Sequence, residues 1–495
     1  MGRIISCIMI LLLMTALLVS VSASATRSEN PVVETELNKI SGAPAQVNAF
    51  ACATPWEERH IVGDIYEYTT TLKVGAGDFD KIGIHRVVKT CGGEPVQTKA
   101  GVTMIPGSWQ NFRAAYLLSA QTDVPEIDVN CSLAVYLATN DIDVWGIDLR
   151  RSFVPQYYSH TTVPYCNHPD ADNCSFMKDW NVSTYIDDMR TAVVFAGITR
   201  LTTGQEPGKM FMLGAGSGGM LTYAYANDEA RPELPPEPWG LRGIITMDIA
   251  YKFDSDTEVI YCTNYSDPNT STTMNASDAA CLRYRILKSM YDNGTYYDDT
   301  AISMKQIANS SDVDPNGTSP TIPGFTNEEV GELLLSATYL FQPRPQPPQI
   351  TGFHYCTGSF NETGHPAGLN FTNADYMTDL TRSLDAFRSI GCMMEEEAIM
   401  CNCSAVVDVP YDDNLGNIRL PVMYVGGGTG YGGEGNYTTS LLRSADVTNL
   451  IVPGYGHIDM LYADCAESTV WAPMCDWIVN DTASDTAPAC TPFMN

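Results

Sequence analysis

The chain is short of positive charge. Its 495 residues carry 28 Lys and Arg against 58 Asp and Glu, a formal net charge of −30. A nucleic-acid binder needs a basic face to neutralise phosphates, so that class is excluded. The same deficit argues against docking on anionic membrane surfaces. Histidine is scarce, at seven residues, and neither a CxxC pair nor a neighbouring HxxxH occurs. No metal centre is therefore expected, and no organic cofactor is implied. After the first 25 residues no stretch is long and apolar enough to span a bilayer. There is no internal repeat. Core-forming residues are not lacking: 44% of the chain is hydrophobic and 10% aromatic. General disorder is excluded on that ground.

The N-terminus points to the secretory route. Arg3 is followed by an almost wholly apolar run, residues 4–21, and then by Ala23-Ser24-Ala25. Small residues in that spacing suit a signal peptidase. Residues 1–25 are expected to be a signal peptide, cleaved after Ala25 or Ala23, leaving no stable membrane insertion. Of the 15 cysteines, Cys7 lies in that segment, so the mature chain keeps an even set. An even set suits disulfides in an oxidising compartment. Close spacing suggests Cys166 with Cys174, and Cys465 with Cys475. Cys401 and Cys403 are too near each other to pair without strain, so each is expected to reach elsewhere. Fourteen Asn-x-Ser/Thr sequons occur, most of them between Asn264 and Asn402. A secreted or secretory-lumenal glycoprotein is the simplest account, with that region on the surface.

Hydrophobic patterning shows a strand–helix rhythm. Residues 60–89 suggest a β-hairpin, turning at Gly75-Ala76-Gly77-Asp78. Residues 100–105 and 143–149 read as buried strands, and 111–119 and 185–201 as helices. Residues 209–213 form a strand that runs into Gly214-Ala215-Gly216-Ser217-Gly218-Gly219, with a helix after it and a strand at 241–247. From 254 to 418 the composition turns polar. Helical pieces occur there, near 328–340 and 376–389. The rhythm resumes with strands at 420–425 and 448–452 and a last helix near 465–479. Such alternation predicts an α/β fold with a mostly parallel sheet covered on both faces. Residues 26–253 and 419–495 are then two halves of one core, and 254–418 is an insertion. Both ends of that insertion are expected beside the functional edge, where it would form a cap.

Ser217 is the sharpest feature. A serine between a strand and a helix, flanked by small residues, is what a nucleophile elbow requires. The chain must turn abruptly, and the serine is expected at the apex in a strained conformation. The helix N-terminus beneath it supplies N–H groups for a developing oxyanion. A dinucleotide loop is the rival, because Gly214-x-Gly216-x-x-Gly219 fits GxGxxG on its face. It comes too late, after at least two strand–helix units. His457 is the matching base candidate. It follows the last strand in Gly454-Tyr455-Gly456-His457, an exposed Gly-rich loop on the same edge.

Together these residues carry a resemblance. The chain resembles the α/β-hydrolase fold, from Asp143-Val144-Trp145-Gly146-Ile147-Asp148-Leu149-Arg150 through the elbow to Gly456-His457. The resemblance covers residues 100–254 and 419–480, about half the chain. It implies an eight-stranded, mostly parallel sheet, a Ser–acid–His triad in that chain order, and a cap insertion. In two places the chain departs from the family pattern. The stretch that usually carries the acid reads Gly426-Gly427-Gly428-Thr429-Gly430-Tyr431-Gly432-Gly433, with no carboxylate before Glu434. A minority of members place the acid after the strand that follows the elbow helix, and Asp248 stands there. Asp248 is the favoured acid and Glu434 the alternative. The oxyanion loop is Pro106-Gly107-Ser108-Trp109, and Pro106 has no N–H to give. The amides of Ser108 or Trp109, beside that of Gly218, are the candidates.

The expected activity is that of a secreted serine hydrolase, with a small-molecule ester or lipid-like substrate. A peptidase or amidase of the same fold is the enzymatic alternative. A non-catalytic glycoprotein that keeps the fold as a binding scaffold is the alternative from another class.

Overall fold

The computed structural model describes residues 53–205, 210–233, 240–254, 281–336, 353–464 and 466–483. The signal segment, the Cys465 half of the expected Cys465–Cys475 pair and the first sequons of the polar block lie outside the described residues.

Ten strands form one sheet. In chain order they are β1 (Glu57–Val62), β2 (Ile65–Lys73), β3 (Lys81–Cys91), β4 (Glu94–Pro95), β5 (Ala100–Ile105), β6 (Ile142–Asp148), β7 (Phe211–Ala215), β8 (Gly243–Met247), β9 (Val422–Gly427) and β10 (Val447–Val452). The spatial order is β1-β2-β3-β6-β5-β7-β8-β9-β10, with β4 paired to β3. Pairing is antiparallel from β1 to β6 and parallel from β6 onward. Eight strands, β2, β3 and β5–β10, make the expected hydrolase-like sheet. β1 and the two-residue β4 are additions at the antiparallel end. The central strands are apolar along their whole length because both faces are covered: β5, β7 and β8 are buried at every position.

Helices lie over both faces. The core helices are α1 (Phe112–Tyr116), α2 (Leu133–Thr139), α3 (Val182–Thr202) and α4 (Ser217–Glu229). α1 and α3 begin where an asparagine side chain takes an orphan amide: Asn111 accepts from Ala114, and Asn181 from Thr184. Between β8 and β9 come α5 (Leu282–Asp292), α6 (Thr300–Val313), α7 (Asn327–Ser336), α8 (Ala374–Arg382) and α9 (Ile390–Met400). The helix expected over 376–389 stops at Arg382, and residues 388–389 instead pair with 297–298 as a short antiparallel bridge. After β9 come α10 (Glu434–Ser440), α11 (Asp459–Tyr462) and α12 (Ala472–Ala483).

One expectation about the insertion needs correcting. β8 and β9 pair in parallel, with Ile244 opposite Val422. A parallel pair needs a crossover from one end of the sheet to the other. The insertion therefore leaves at the Asp248 edge but returns to the opposite edge of the sheet. Only its first end emerges beside Ser217. It does cross the functional edge on the way, as residues 353–357, 388 and 396 show below.

Two disulfides are described. Cys166 is bonded to Cys174, and Cys403 reaches Cys281, 122 residues away. No described helix is long and apolar enough to cross a membrane.

Candidate active site

The elbow is built from β7, Gly216 and α4. Gly216 has φ 53° and ψ −121°, and α4 starts at Ser217 itself. The strain expected at the serine is thus carried by the residue before it. Glycine has no Cβ and adopts positive φ at little cost, so Ser217 is free to take helical angles. The amide of Gly216 donates to Met247 O at 2.9 Å, which locks the turn to the end of β8. Ser217 is half-buried at the N-terminus of α4.

Asp248 follows β8 and is completely buried, with φ 43°. Its carboxylate accepts four backbone amide bonds. Gly427 N and Gly432 N reach Oδ1 at 2.8 and 3.2 Å, and Tyr431 N lies 3.0 Å from each oxygen. A Cβ on Gly430 would sit 2.1 Å from Oδ2, so no other residue fits there. The glycine-rich turn after β9 carries no acid. It wraps the acid supplied by β8 in amides, as a backbone nest does for an anion.

The loop after β10 brings His457 to the same place. Its Nδ1 is 2.7 Å from Asp248 Oδ2. Its Nε2 faces the elbow: a Cβ built on Gly216 would lie 2.9 Å from it. Glu434, the alternative acid, instead opens α10. The His457 loop is fixed from two sides. His457 N donates to His354 O at 2.8 Å, and the buried Asp459 accepts from Gly456 N and Thr357 N at 2.7 and 2.9 Å. The rings of Phe353, Tyr355 and Tyr431 stand 5.5, 5.7 and 5.9 Å from the imidazole. Residues 353–357 belong to the insertion, so it walls this side of the site.

The loop 106–110 lies against the elbow. Gly218 packs on it, close enough that a Cβ there would be 2.2 Å from Ile105 O. Buried Arg151 donates to Gly107 O and Gln110 O at 2.7 and 3.0 Å. Ser108 and Trp109 sit at the bend, with Trp109 at φ 54°. Asp385, from the insertion, donates its amide to Trp109 O at 2.5 Å, and its carboxylate lies 3.4 Å from Arg151. Burial pushes the Asp385 carboxyl up to about 6, against the pull of Arg151.

Two residues at Ser217 were not anticipated. Ser217 Oγ donates to Glu396 Oε1 at 2.6 Å. Glu396 also pairs with Arg388, whose Nη2 is 3.2 Å from Ser217 Oγ. Both come from the insertion, and Glu396 lies on α9. The signal was present in the sequence: Glu395-Glu396-Glu397 interrupts an otherwise apolar segment, Met393-Met394 before it and Ala398-Ile399-Met400 after it. Three acids inside an apolar helix are seldom all solvated. Glu396 and Glu397 are buried, and Glu397 is paired with Arg283. Burial raises the Glu395 carboxyl to about 7.

Among the described residues no group of His, Cys, Asp and Glu is arranged to hold a metal ion. An open cleft of about 630 Å³, bordered by Lys252, Asp412 and Tyr437 among others, is lined by none of Ser217, Asp248 and His457.

No family profile and no curated protein sequence matches the chain. Solved structures do. A protein of Sulfolobus solfataricus described as a candidate lipase superposes with a TM-score of 0.55 at 17% identity, covering 86% of this chain and 99% of that one. The chain has the α/β-hydrolase fold. Other hydrolase-fold structures superpose more loosely. A soluble variant of monoglyceride lipase from Saccharomyces cerevisiae, in complex with a substrate analogue, gives a TM-score of 0.43 at 13% identity, over 86% of this chain and 96% of that one. The monoacylglycerol lipase of Paleococcus ferrophilus gives 0.39 at 12% identity, over 78% and 97%. In this fold Gly216 is the apex of the turn after β7 and Ser217 opens α4, while Asp248 and His457 follow β8 and β10 on the same edge of the sheet.

Proposed function

We propose that the chain is a secreted serine hydrolase that cleaves a carboxylic ester through Ser217, His457 and Asp248. One observation carries the reading. His457 is held at Nδ1 by Asp248 at 2.7 Å, with Nε2 turned to the elbow residue next to Ser217. A base held by a buried carboxylate at one nitrogen, with the other facing the turn that carries a serine, is an arrangement that can activate a hydroxyl. Ser217 Oγ bonds to the acyl carbon as its proton passes to His457 Nε2. The ester C–O bond then breaks, and that proton leaves with the alcohol. Water repeats the steps in reverse order and frees the acid. Asp248 keeps the imidazole in the right tautomer and offsets its transient positive charge without taking the proton. The amides of Gly218 and Ser108, from the elbow and the loop packed on it, would hold the oxyanion.

The substrate is a small-molecule ester or a lipid-like one. The description of the Sulfolobus structure as a candidate lipase supports this class. The apolar run at residues 4–21 with Ala23-Ser24-Ala25 after it, the sequons and the disulfides Cys166–Cys174 and Cys281–Cys403 support secretion. Residues 254–418 act as a cap, since Arg388, Glu396 and residues 353–357 all reach the Ser217–His457 edge.

The test is labelling of the purified, glycosylated protein with a small fluorophosphonate. Ser217 should be modified, and Ser217→Ala should abolish both labelling and hydrolysis across a panel of chromogenic esters. Folded wild-type protein that takes up no probe would return the chain to the reading of a non-catalytic scaffold.

A further inference from the structure

The nucleophile's hydrogen bond is given to the cap. Ser217 Oγ donates to Glu396 Oε1 at 2.6 Å, and the only other described donor near that oxygen is the Cys392 thiol at 3.5 Å, a weak one. For Ser217 to attack, its proton has to turn to His457. Glu396 Oε1 then loses its strong donor while remaining buried. A buried carboxylate left short of donors is strongly disfavoured. A substrate that brings a donor to that point removes the penalty, and one that brings a methyl group does not.

Geometry fixes where the donor must sit. Once the acyl carbon is bonded to Ser217 Oγ, a group on the α-carbon is the one that reaches an oxygen already at hydrogen-bonding distance from Oγ. Charge fixes its sign. Arg388 is flanked by two carboxylates, Glu396 and Asp298, which sits opposite it in the short bridge. Asp298 Oδ2 is buried with no hydrogen-bond partner among the described residues. One guanidinium between two carboxylates leaves this cluster net negative, which suits a cation better than a neutral donor.

We propose that Glu396 determines specificity by receiving a hydrogen-bond donor on the α-carbon of the acyl group, a protonated amine by preference, so that the substrates are aminoacyl esters or amides. This deepens the serine-hydrolase reading and rests on it. Arg388 holds the Glu396 carboxylate in place and stacks on the Trp109 ring at 5.7 Å, tying the subsite to the loop that packs on the elbow. Glu396 touches no bond that breaks, so its effect is on which acyl groups are accepted.

The experiment compares the ethyl esters of L-alanine, L-lactate and propionate on the full-length glycosylated protein. The assay runs at about pH 6.5, below the ordinary pKa of an α-amino group. Wild type should prefer alanine to propionate in kcat/KM by roughly 10²-fold or more, with lactate between. Glu396→Gln should collapse the alanine-to-propionate ratio toward one. If that variant does not fold, the wild-type ranking alone decides. A wild-type protein that accepts propionate as well as alanine, while its Ser217 reacts with a fluorophosphonate, overturns the assignment and leaves the hydrolase reading standing. In that case Glu396 and Arg388 only fasten the cap. An unchanged ratio in folded Glu396→Gln overturns it equally. Wild type that neither labels nor hydrolyses any ester overturns the hydrolase reading and this inference with it.

Discussion

Among the described residues two histidines are held by completely buried carboxylates, and they are built for opposite ends. His457 has a carboxylate on Nδ1 only, and its Nε2 faces the elbow. His85, on β3, has carboxylates on both nitrogens: Glu67 Oε1 at 2.8 Å from Nδ1 and Asp148 Oδ2 at 2.9 Å from Nε2. Arg59 and Arg113 close the rest of Glu67. Burial would lower the His85 pKa, but Asp148 and Glu67 outweigh it and raise it to about 9. The Glu67 carboxyl, despite burial, is pulled to about 2 by His85 and Arg113. His85 is thus kept charged, with no lone pair to accept a proton. The difference teaches that a histidine–carboxylate pair is a base only where one nitrogen is left unclaimed.

Breaking the His457 side should have the largest effect. Asp248→Asn should lower kcat on a chromogenic ester by on the order of 10⁴-fold, through the wrong tautomer, with the fold intact. A loss below tenfold would show that His457 does not depend on Asp248. Breaking the His85 side should leave chemistry alone and cost stability. Glu67→Gln leaves His85 and two arginines short of their counter-charge. It should lower the unfolding free energy by roughly 3–5 kcal/mol in urea titration, while the folded fraction still labels at Ser217.

The pH dependence of unfolding sharpens the same contrast. A histidine whose folded pKa is about 9, above its usual 6.5, contributes stability that is complete below 6.5 and lost as pH rises through 9. The lowered Glu67 contributes stability that is complete above about 4.5 and lost as pH falls through 2. Wild type should therefore lose stability between pH 6.5 and 9 in a way that Glu67→Gln shows less steeply, measured by urea midpoints at each pH. The smallest expected effect is at Glu434. It opens α10 rather than meeting His457, so Glu434→Gln should change kcat less than about threefold, the cost of a helix-terminus charge.

Much of this was legible from local pattern. The buried strands, the Gly-flanked Ser217 and the Gly-Tyr-Gly-His loop are each short-range signals, and each lies where periodicity and turn chemistry put it. The choice of Asp248 came from the resemblance, some members of which place the acid at the end of the strand after the elbow helix. What the sequence hid was the work of the glycine turn at 426–433, because amide donors leave no side-chain trace. It also hid the bond from Ser217 to Glu396, which spans 179 residues and depends on how α9 packs. The positive φ falls on Gly216 and not on Ser217 because Gly216 has no Cβ to meet the imidazole, a contact made only in the folded chain. The return path of the insertion is set by the parallel pairing of β9 with β8, a direction that the apolar pattern of a buried strand does not carry.

That return path has a consequence for how the protein comes into being. His457 and Asp248 stand 209 residues apart in the chain, and β9 can join β8 only after the whole intervening segment has emerged. Closing so long a loop is entropically slow compared with forming local helices. During vectorial synthesis Ser217 emerges first, the insertion next, and His457 last. A chain interrupted between α4 and β10 carries the complete turn at Ser217 and lacks His457. The proposed triad is therefore incomplete until the final strand docks, so the order of synthesis itself would withhold the proposed activity.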